Sequence, residues 1–406
     1  MAATGRSGNV PVPSTDATYS GLVGSAAVYN GTSTKVAMSA GVLAAGKAPL
    51  QPFRAQFQNA LEYDLASRLD HLDLAECTFV DAGSLTDATG GSPFRMRSAA
   101  AHHIPGRPLA AAVYGAETLW KSIDGGQRWT SWDTLAGRAY IDVAEHLGSS
   151  IGAIATQGGT ARFFAYDGSA WASVALIDTP VASCLTAKPS ASCYYVGGRG
   201  GALGNSSVWK LVDASGGAFP MTQTRIPHAS GLDAIVYLAT SPNGNVGCST
   251  TNAYIWQDSD AALSTGGDPK TVGYIVIGLV YDTTRSRFVA VTSNGTNTVF
   301  RASTDAGVSW STIGTAASIV AQDFTVSIRG GVIAFGATYG GDDYLAISPD
   351  GGGSVELLPN PLTRISGAGS TAIQHTAHHQ NRLFVAGYRA AGQNVWAGAI
   401  KTGRTY

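Results

Sequence analysis

Charge is what this sequence has least of. Asp, Glu, Lys and Arg make up 13% of its 406 residues, and the formal charge is −1. A chain without a basic stripe does not read as a binder of nucleic-acid backbone. The apolar fraction is an ordinary 44%, which excludes disorder of the whole chain. Long apolar runs are missing too, and none approaches the ~18 residues of a membrane span. Met1–Arg6 lacks a charged stretch followed by an apolar core, so no signal peptide is expected. The four cysteines, Cys77, Cys184, Cys193 and Cys248, show neither CxxC nor zinc spacing. Cys184 and Cys193 either face each other across a short hairpin or remain buried thiols like the others. No cofactor or metal is assigned from the sequence.

Glycine is what the chain has in excess, 51 residues against a usual ~7%. With abundant Ala, Ser and Thr, this suits a β protein dense in turns. Residues 1–50 hold little that builds a core, and read either as an extended arm that becomes ordered against something else or as a disordered leader. Residues 52–72 differ. Phe53, Phe57, Leu61, Leu65 and Leu69 recur every four residues after Pro52, while Arg54, Gln58, Glu62 and Arg68 take the other side. That spacing predicts an amphipathic helix whose stripe is covered by its own chain or by another subunit. The domain division is therefore an arm plus docking helix over 1–75 and a second domain over 76–406.

From about residue 95 the chain repeats. A strand ending in Gly is followed by a second strand carrying a large apolar residue, at Trp120, Phe164, Trp209, Trp256, Phe300, Leu345 and Trp396. The spacings are 44, 45, 47, 44, 45 and 51, a period in the range of propeller blades. Seven four-stranded units predict an all-β, seven-bladed β-propeller. After Trp396 too little chain remains for an outermost strand, so the run Cys77–Asp81 is expected to close the ring and cover the exposed edge.

A short motif falls in the turn after the anchor strand. It reads Ser122, Asp124, Gly126, Trp129, and again Ser303, Asp305, Gly307, Trp310. A third copy keeps Ser348, Asp350 and Gly352 but has Val355 in place of Trp, and Ser241–Gly244 is a trace of a fourth. The Asp accepts hydrogen bonds from its own tight turn, Gly takes a φ > 0 position, and Trp folds back as an apolar lid. This resembles the Asp-box of sialidase-like (BNR) and sortilin-like β-propellers. The resemblance implies the fold, and it implies a structural role for these residues, because in those families the box lies on the outer rim.

The same families include enzymes. Thr224-Arg225-Ile226-Pro227 matches three letters of the sialidase-like Phe/Tyr-Arg-Ile-Pro motif, but between the third and fourth blades rather than in the first. Arg225 is thus either a carboxylate-clamping arginine or part of a blade-boundary turn. Asp142, Glu145, Asp233, Asp282 and Asp323 stand near blade starts and either face the channel as glycosidase carboxylates or cap turns. His102, His103, His375, His378 and His379 fall in neighbouring blades, as a metal or pH-sensing patch or as hydrogen-bonded turn residues. The favoured expectation is a non-catalytic structural and binding propeller. Its low charge and Ala/Gly/Thr-rich arm resemble a phage virion component such as a tail or fibre adhesin. The arm would attach to other virion proteins and the disc would engage a host-surface glycan. A sialidase-like glycoside hydrolase is the alternative. An assembly factor resembling the photosystem-stability propellers is a third reading, opposed by the modest arginine content.

Overall fold

The computed structural model describes residues 79–85, 95–100, 109–114, 117–122, 130–134, 137–145, 151–166, 170–178, 181–188, 193–200, 204–213, 221–231, 233–322, 325–361, 371–379, 382–389 and 395–401. The expected helix over 52–72, with Phe53, Phe57, Leu61, Leu65 and Leu69, lies outside them, as do Asp124, Gly126 and Trp129 of the first motif and His102, His103 and Asp323.

All regular structure described beyond a turn is strand, gathered into seven antiparallel sheets. In chain order, β1 (Phe79–Leu85) precedes sheet 1: β2 (Arg95–Ala100), β3 (Leu109–Tyr114), β4 (Thr118–Ser122) and β5 (Thr130–Thr134). Sheet 2 is β6 (Arg138–Glu145), β7 (Ile151–Gln157), β8 (Thr160–Tyr166) and β9 (Trp171–Ala175). Sheet 3 is β10 (Val181–Lys188), β11 (Cys193–Gly200), β12 (Asn205–Asp213) and β13 (Met221–Pro227). Sheet 4 is β14 (Tyr237–Ser241), β15 (Gly244–Cys248), β16 (Ala253–Trp256) and a two-residue β17 (Ser264–Thr265). Sheet 5 is β18 (Ile275–Asp282), β19 (Arg287–Ser293), β20 (Thr298–Ser303) and β21 (Ser311–Ala316). In sheet 6 the first strand is broken into β22 (Ile319–Ala321) and β23 (Ser327–Arg329), both paired with β24 (Val332–Tyr339), and β25 (Asp342–Ser348) and β26 (Glu356–Pro359) follow. Sheet 7 is β27 (Thr371–His379), β28 (Arg382–Arg389) and β29 (Val395–Lys401), with β1 laid antiparallel on β29 from Phe79↔Ile400 to Leu85↔Val395.

First strands pack on first strands in series, from β2 to β6, β10, β14, β18, β23 and β27, and β27 packs on β2. This is a β-propeller, with first strands around a central channel and fourth strands outermost. Each of the seven apolar anchors falls on the third strand of its sheet. The described ones are nearly solvent-free, Trp209 and Phe300 entirely so.

The strands are buried on both sides, which is why the sequence reads as apolar runs rather than clean alternation. Alternate residues serve opposite neighbours. Tyr194 and Val196 join the core shared with sheet 2, while Cys193 and Tyr195 join the core shared with sheet 4. Phe163 and Phe164 divide the same way between sheets 3 and 1. Where a neighbour's ring comes close, glycine is required: a Cβ on Gly152 would lie 2.6 Å from the Tyr194 ring. Cys184, Cys193 and Cys248 are buried thiols with no disulfide among them. Register keeps the hairpin cysteines apart, since Cys184 pairs with Gly197 and Cys193 with Lys188.

Antiparallel order gives the disc two faces. On the proximal face the first strands begin and the turns between second and third strands lie. On the distal face lie the turns between first and second and between third and fourth strands. Because β1 starts opposite the end of β29, the chain enters sheet 7 at Phe79 from the distal side.

Candidate functional site

The channel is lined at one level by a repeated irregularity. The first strand carries a β-bulge between Tyr140 and Asp142, Ala182 and Cys184, Val276 and Gly278, and Ile373 and His375. A bulge re-aims the side chain that follows it. Asp142, Cys184, Gly278 and His375 accordingly line a channel cavity of about 170 Å³ together with Tyr237 and Val326. The space is below the ~300 Å³ at which small-ligand pockets begin. Val326 narrows it at Gly278, where a Cβ would lie 2.3 Å from the valine methyl. The polar lining stitches neighbouring sheets. Asp142 accepts from Val143 N (2.9 Å) and from Leu185 N of the next sheet (2.8 Å). Thr376, at the sheet 6–7 boundary, donates to the carbonyl of Ala334 at 3.0 Å.

The proximal mouth of this channel is apolar. Val181 and Ile275 open their first strands there with 62% and 44% exposure, and Tyr339, paired with Ile319 at the start of sheet 6, is 45% exposed. Away from the channel, two crossings between sheets carry Ile177 and Val272, the latter 91% exposed. Both crossings are clamped. Trp209 Nε1 donates to Ile177 O at 3.0 Å and Gln223 Nε2 to Ala175 O at 2.9 Å. Arg301 donates to Lys270 O at 2.5 Å, and Gly273 turns the tip at φ +83°. Among the described residues, Val308 is the one large exposed apolar side chain on the distal face.

The motif turns are on that distal face. In the second copy Gly307 N donates to Ser303 Oγ (2.8 Å), which donates to Asp305 Oδ1 (2.7 Å), and Ser309 N donates to the same oxygen (2.9 Å). Trp310 Nε1 closes over the turn onto Gly307 O at 3.1 Å. Gly307 has φ +91°, where a Cβ is disfavoured. The third copy repeats this with Ser348, Asp350, Gly352 (φ +116°) and Ser354, and Val355 packs partly buried where Trp310 stands. Partial burial raises both carboxyls, but bonds from Ser309 and Ser303, and from Ser354, Ser348 and Gly353, outweigh it and hold each at about 2. Each turn wedges against the preceding sheet. Gly267 N donates to Gly307 O at 2.8 Å, and a Cβ on Gly314 would lie 2.0 Å from Gly352 O. Ser122, the first residue of the remaining copy, ends β4.

Ser241–Gly244 is not a fourth copy. It joins the first and second strands of sheet 4, with Ser241 Oγ donating to Gly244 O at 2.9 Å. The equivalent turn of sheet 4 is Trp256–Leu263, where Asp258 stands five residues before Leu263, as Asp305 does before Trp310. Here Asp260 caps the turn, accepting from Gln257 N at 2.7 Å. Asp258 instead reaches sheet 3. Its Oδ1 accepts from Tyr195 OH (2.6 Å), Lys188 Nζ (3.0 Å) and Asn245 Nδ2 (3.1 Å), and its carbonyl accepts from Lys210 Nζ (2.7 Å). Burial works against the charge, and the Tyr195, Lys188 and Asn245 bonds hold the Asp258 carboxyl below its ordinary value. Burial and the same carboxylate push the Tyr195 hydroxyl up. Sequence reasoning missed Asp258 because Ser, Gly and Trp of the motif are replaced by Trp256, Asp260 and Leu263. The conserved five-residue offset was the signal that could have found it.

The remaining candidates scatter. Arg225 is on the outermost strand of sheet 3, not in a turn or the channel, and donates to Gly200 O (2.7 Å), Ser207 Oγ (3.0 Å) and Asp178 (3.0 Å). Asp282 is solvent-free and holds Arg285 at 3.0 Å and its own turn amides. Asp233 accepts from Thr251 and Asn252 on the proximal face. His378 and His379 end β27, in a strand rather than a turn, while His375 reaches the channel. Glu145 ends β6.

No family model matches this chain, and no curated protein does. Solved structures do. It is similar to YCF48 bound to D1 peptide (13% identity, TM-score 0.54, covering 78% of this chain and 96% of that one). A catalytically inactive virginiamycin B lyase from Staphylococcus aureus with quinupristin aligns at 10% identity and TM-score 0.55, over 78% and 98% of the two chains. The Swd1 β-propeller domain from Myceliophteria thermophila aligns at 11% and 0.53, over 79% and 99%. At such identities the likeness establishes the fold, a β-propeller.

Proposed function

We propose that this protein is a non-catalytic binding propeller that meets a protein partner with the proximal face of its disc. The observation that carries this reading is the exposure of Val181, Ile275 and Tyr339 on one face, at strand ends fixed by the sheet register. Exposed apolar groups collected on one side mark an interaction surface. Mostly aliphatic groups suit protein better than sugar, whose rings stack on aromatics. The peptide in the YCF48 structure is consistent with a propeller serving in this way.

In its finer form the reading takes the seven sheets as a complete ring of blades and the Ser-Asp-Gly turns as Asp-boxes. It makes the chain a virion component, tail or fibre, attached to other virion proteins through residues 1–75 and the helix expected at Phe53–Leu69. In this form the apolar face meets a host surface or its glycans. The glycoside hydrolase alternative has less behind it, since the hydrogen bonds of Arg225 hold it at the rim.

The test is a photo-crosslinking amino acid at position 181 or 339 of the full-length chain in its native assembly, with position 308 as the distal control. Crosslinks from 181 and 339 to a different polypeptide are expected. Foreign crosslinks confined to 308 would overturn the reading.

A further inference from the structure

We propose that the proximal face takes a polypeptide segment that is both basic and apolar, and that the hairpin Tyr339–Tyr344 seats its Lys or Arg side chain. This rests on the protein-binding reading above and gives the partner its chemistry.

The hairpin is rigid. Tyr339 pairs with Asp342 across Gly340 and Gly341, both at positive φ (+62° and +93°), the pattern of a two-residue turn that matches strand twist. At its base Asp343 Oδ1 accepts from Gln322 Nε2 (2.9 Å) and Thr338 Oγ1 (3.2 Å). That fixes the carboxylate and leaves Oδ2 with no partner among the described residues. Asp342, on the opposite face of the strand, is exposed and has no side-chain partner among the described residues. The rings of Tyr339 and Tyr344 stand edge to face, centroids 6.2 Å apart at 71°. Tyr339, directly opposite Asp342, and Tyr344, two residues on, share the sheet face of Asp342. Two tyrosine rings at a steep angle beside one carboxylate thus make a seat for an ammonium or guanidinium, which gains from the ring faces and from the charge together.

Other exposed aspartates of sheets 3 to 5 are already engaged: Asp178 and Asp268 are paired with Arg225 and Lys270, and Asp233 accepts from Thr251 and Asn252. Asp342 is an exposed carboxylate with no side-chain partner among the described residues, and a group that complements it is basic. The apolar half of its chemistry follows from Ile275, which opens the neighbouring first strand as Ile319, the partner of Tyr339, opens its own.

The experiment is fluorescence anisotropy of the full-length protein with three labelled probes: a twelve-residue Lys/Leu peptide, its Glu/Leu counterpart and oligolysine. The Lys/Leu probe is expected to bind at least about tenfold more tightly than either other probe. Asp342→Lys, an exposed position, should weaken it about tenfold with unchanged thermal unfolding. Tyr339→Ser should weaken it less, and raised salt should weaken it in the wild type more than in Asp342→Lys. Equal binding of the Glu/Leu probe, or indifference to Asp342→Lys, overturns the proposal. Oligolysine matching the Lys/Leu probe overturns its apolar half. If proximal crosslinks to a partner persist while charge reversal does nothing, this proposal alone fails. If the crosslinks are absent, the binding reading fails first.

Discussion

The turns at Asp305 and Asp258 occupy the same place in neighbouring sheets and use their carboxylates in opposite directions. Asp305 turns inward on its own loop and bonds to Ser303 and Ser309. Asp258 turns outward to Lys188 and Tyr195 of the sheet before it, and Asp260 caps the loop instead. Both turns still touch the preceding sheet through backbone, with the donor reversed: Leu263 N of one turn donates to Pro227 O (3.0 Å), whereas Gly307 O of the other accepts from Gly267 N (2.8 Å). A backbone bond to the preceding sheet is what the two share. The carboxylate is interchangeable between local capping and joining sheets.

The sharpest way to break the contrast is to delete each carboxylate. Asp258→Leu strands Lys188, whose side chain is 6% exposed against 36% for that of Asp258, and losing the charged partner of a half-buried pair costs about 1.5–3 kcal/mol. Denaturant unfolding should show that loss, and a second change, Lys188→Met, should restore part of it. No recovery in the double variant would mean that packing, not charge, holds the junction. Gly314→Ala attacks the wedge itself by driving a methyl group into the Gly352 carbonyl. A loss of about 1–3 kcal/mol is expected, and an unchanged melting temperature would show that the sheets part freely. Asp305→Ala removes only a local cap, so equilibrium unfolding should register about 1 kcal/mol. If it equals Asp258→Leu, the distinction between the two turns is empty.

Acid separates them by a smaller effect. Asp305 and Asp350 sit at about 2 in the folded protein against ~3.9 unfolded. Their folded values are depressed, so their contribution is present above about pH 4 and is lost as pH falls from there toward 2. The Asp305→Asn/Asp350→Asn variant should lose less stability than the wild type across that window in acid titrations of the melting temperature. Parallel curves would remove these two groups from the acid response.

Much of the architecture could be read from the chain because it depends on period. The anchors from Trp120 to Trp396 all reach third strands, and a closing strand expected at 77–81 corresponds to β1 at Phe79–Leu85. Side-chain direction was harder to read. Ser241–Gly244 resembled the motif because a short polar string ending in Gly suits any tight hairpin. Asp258 was overlooked because its turn keeps the offset and loses the letters. The proximal surface was invisible for another reason. Val181 and Ile275 look like any other β-branched residues, and only the register decides that they face out.

The pairing of β1 with β29 has a mechanical consequence. With the proximal face held, a pull on the chain ahead of Phe79 runs along the axis of β1, across the direction of its ladder bonds. The registered pairs from Phe79↔Ile400 to Leu85↔Val395 are then loaded together in shear, not peeled one after another. The ring would resist tension at its seam, the one place where a closed disc made from an open chain is weakest.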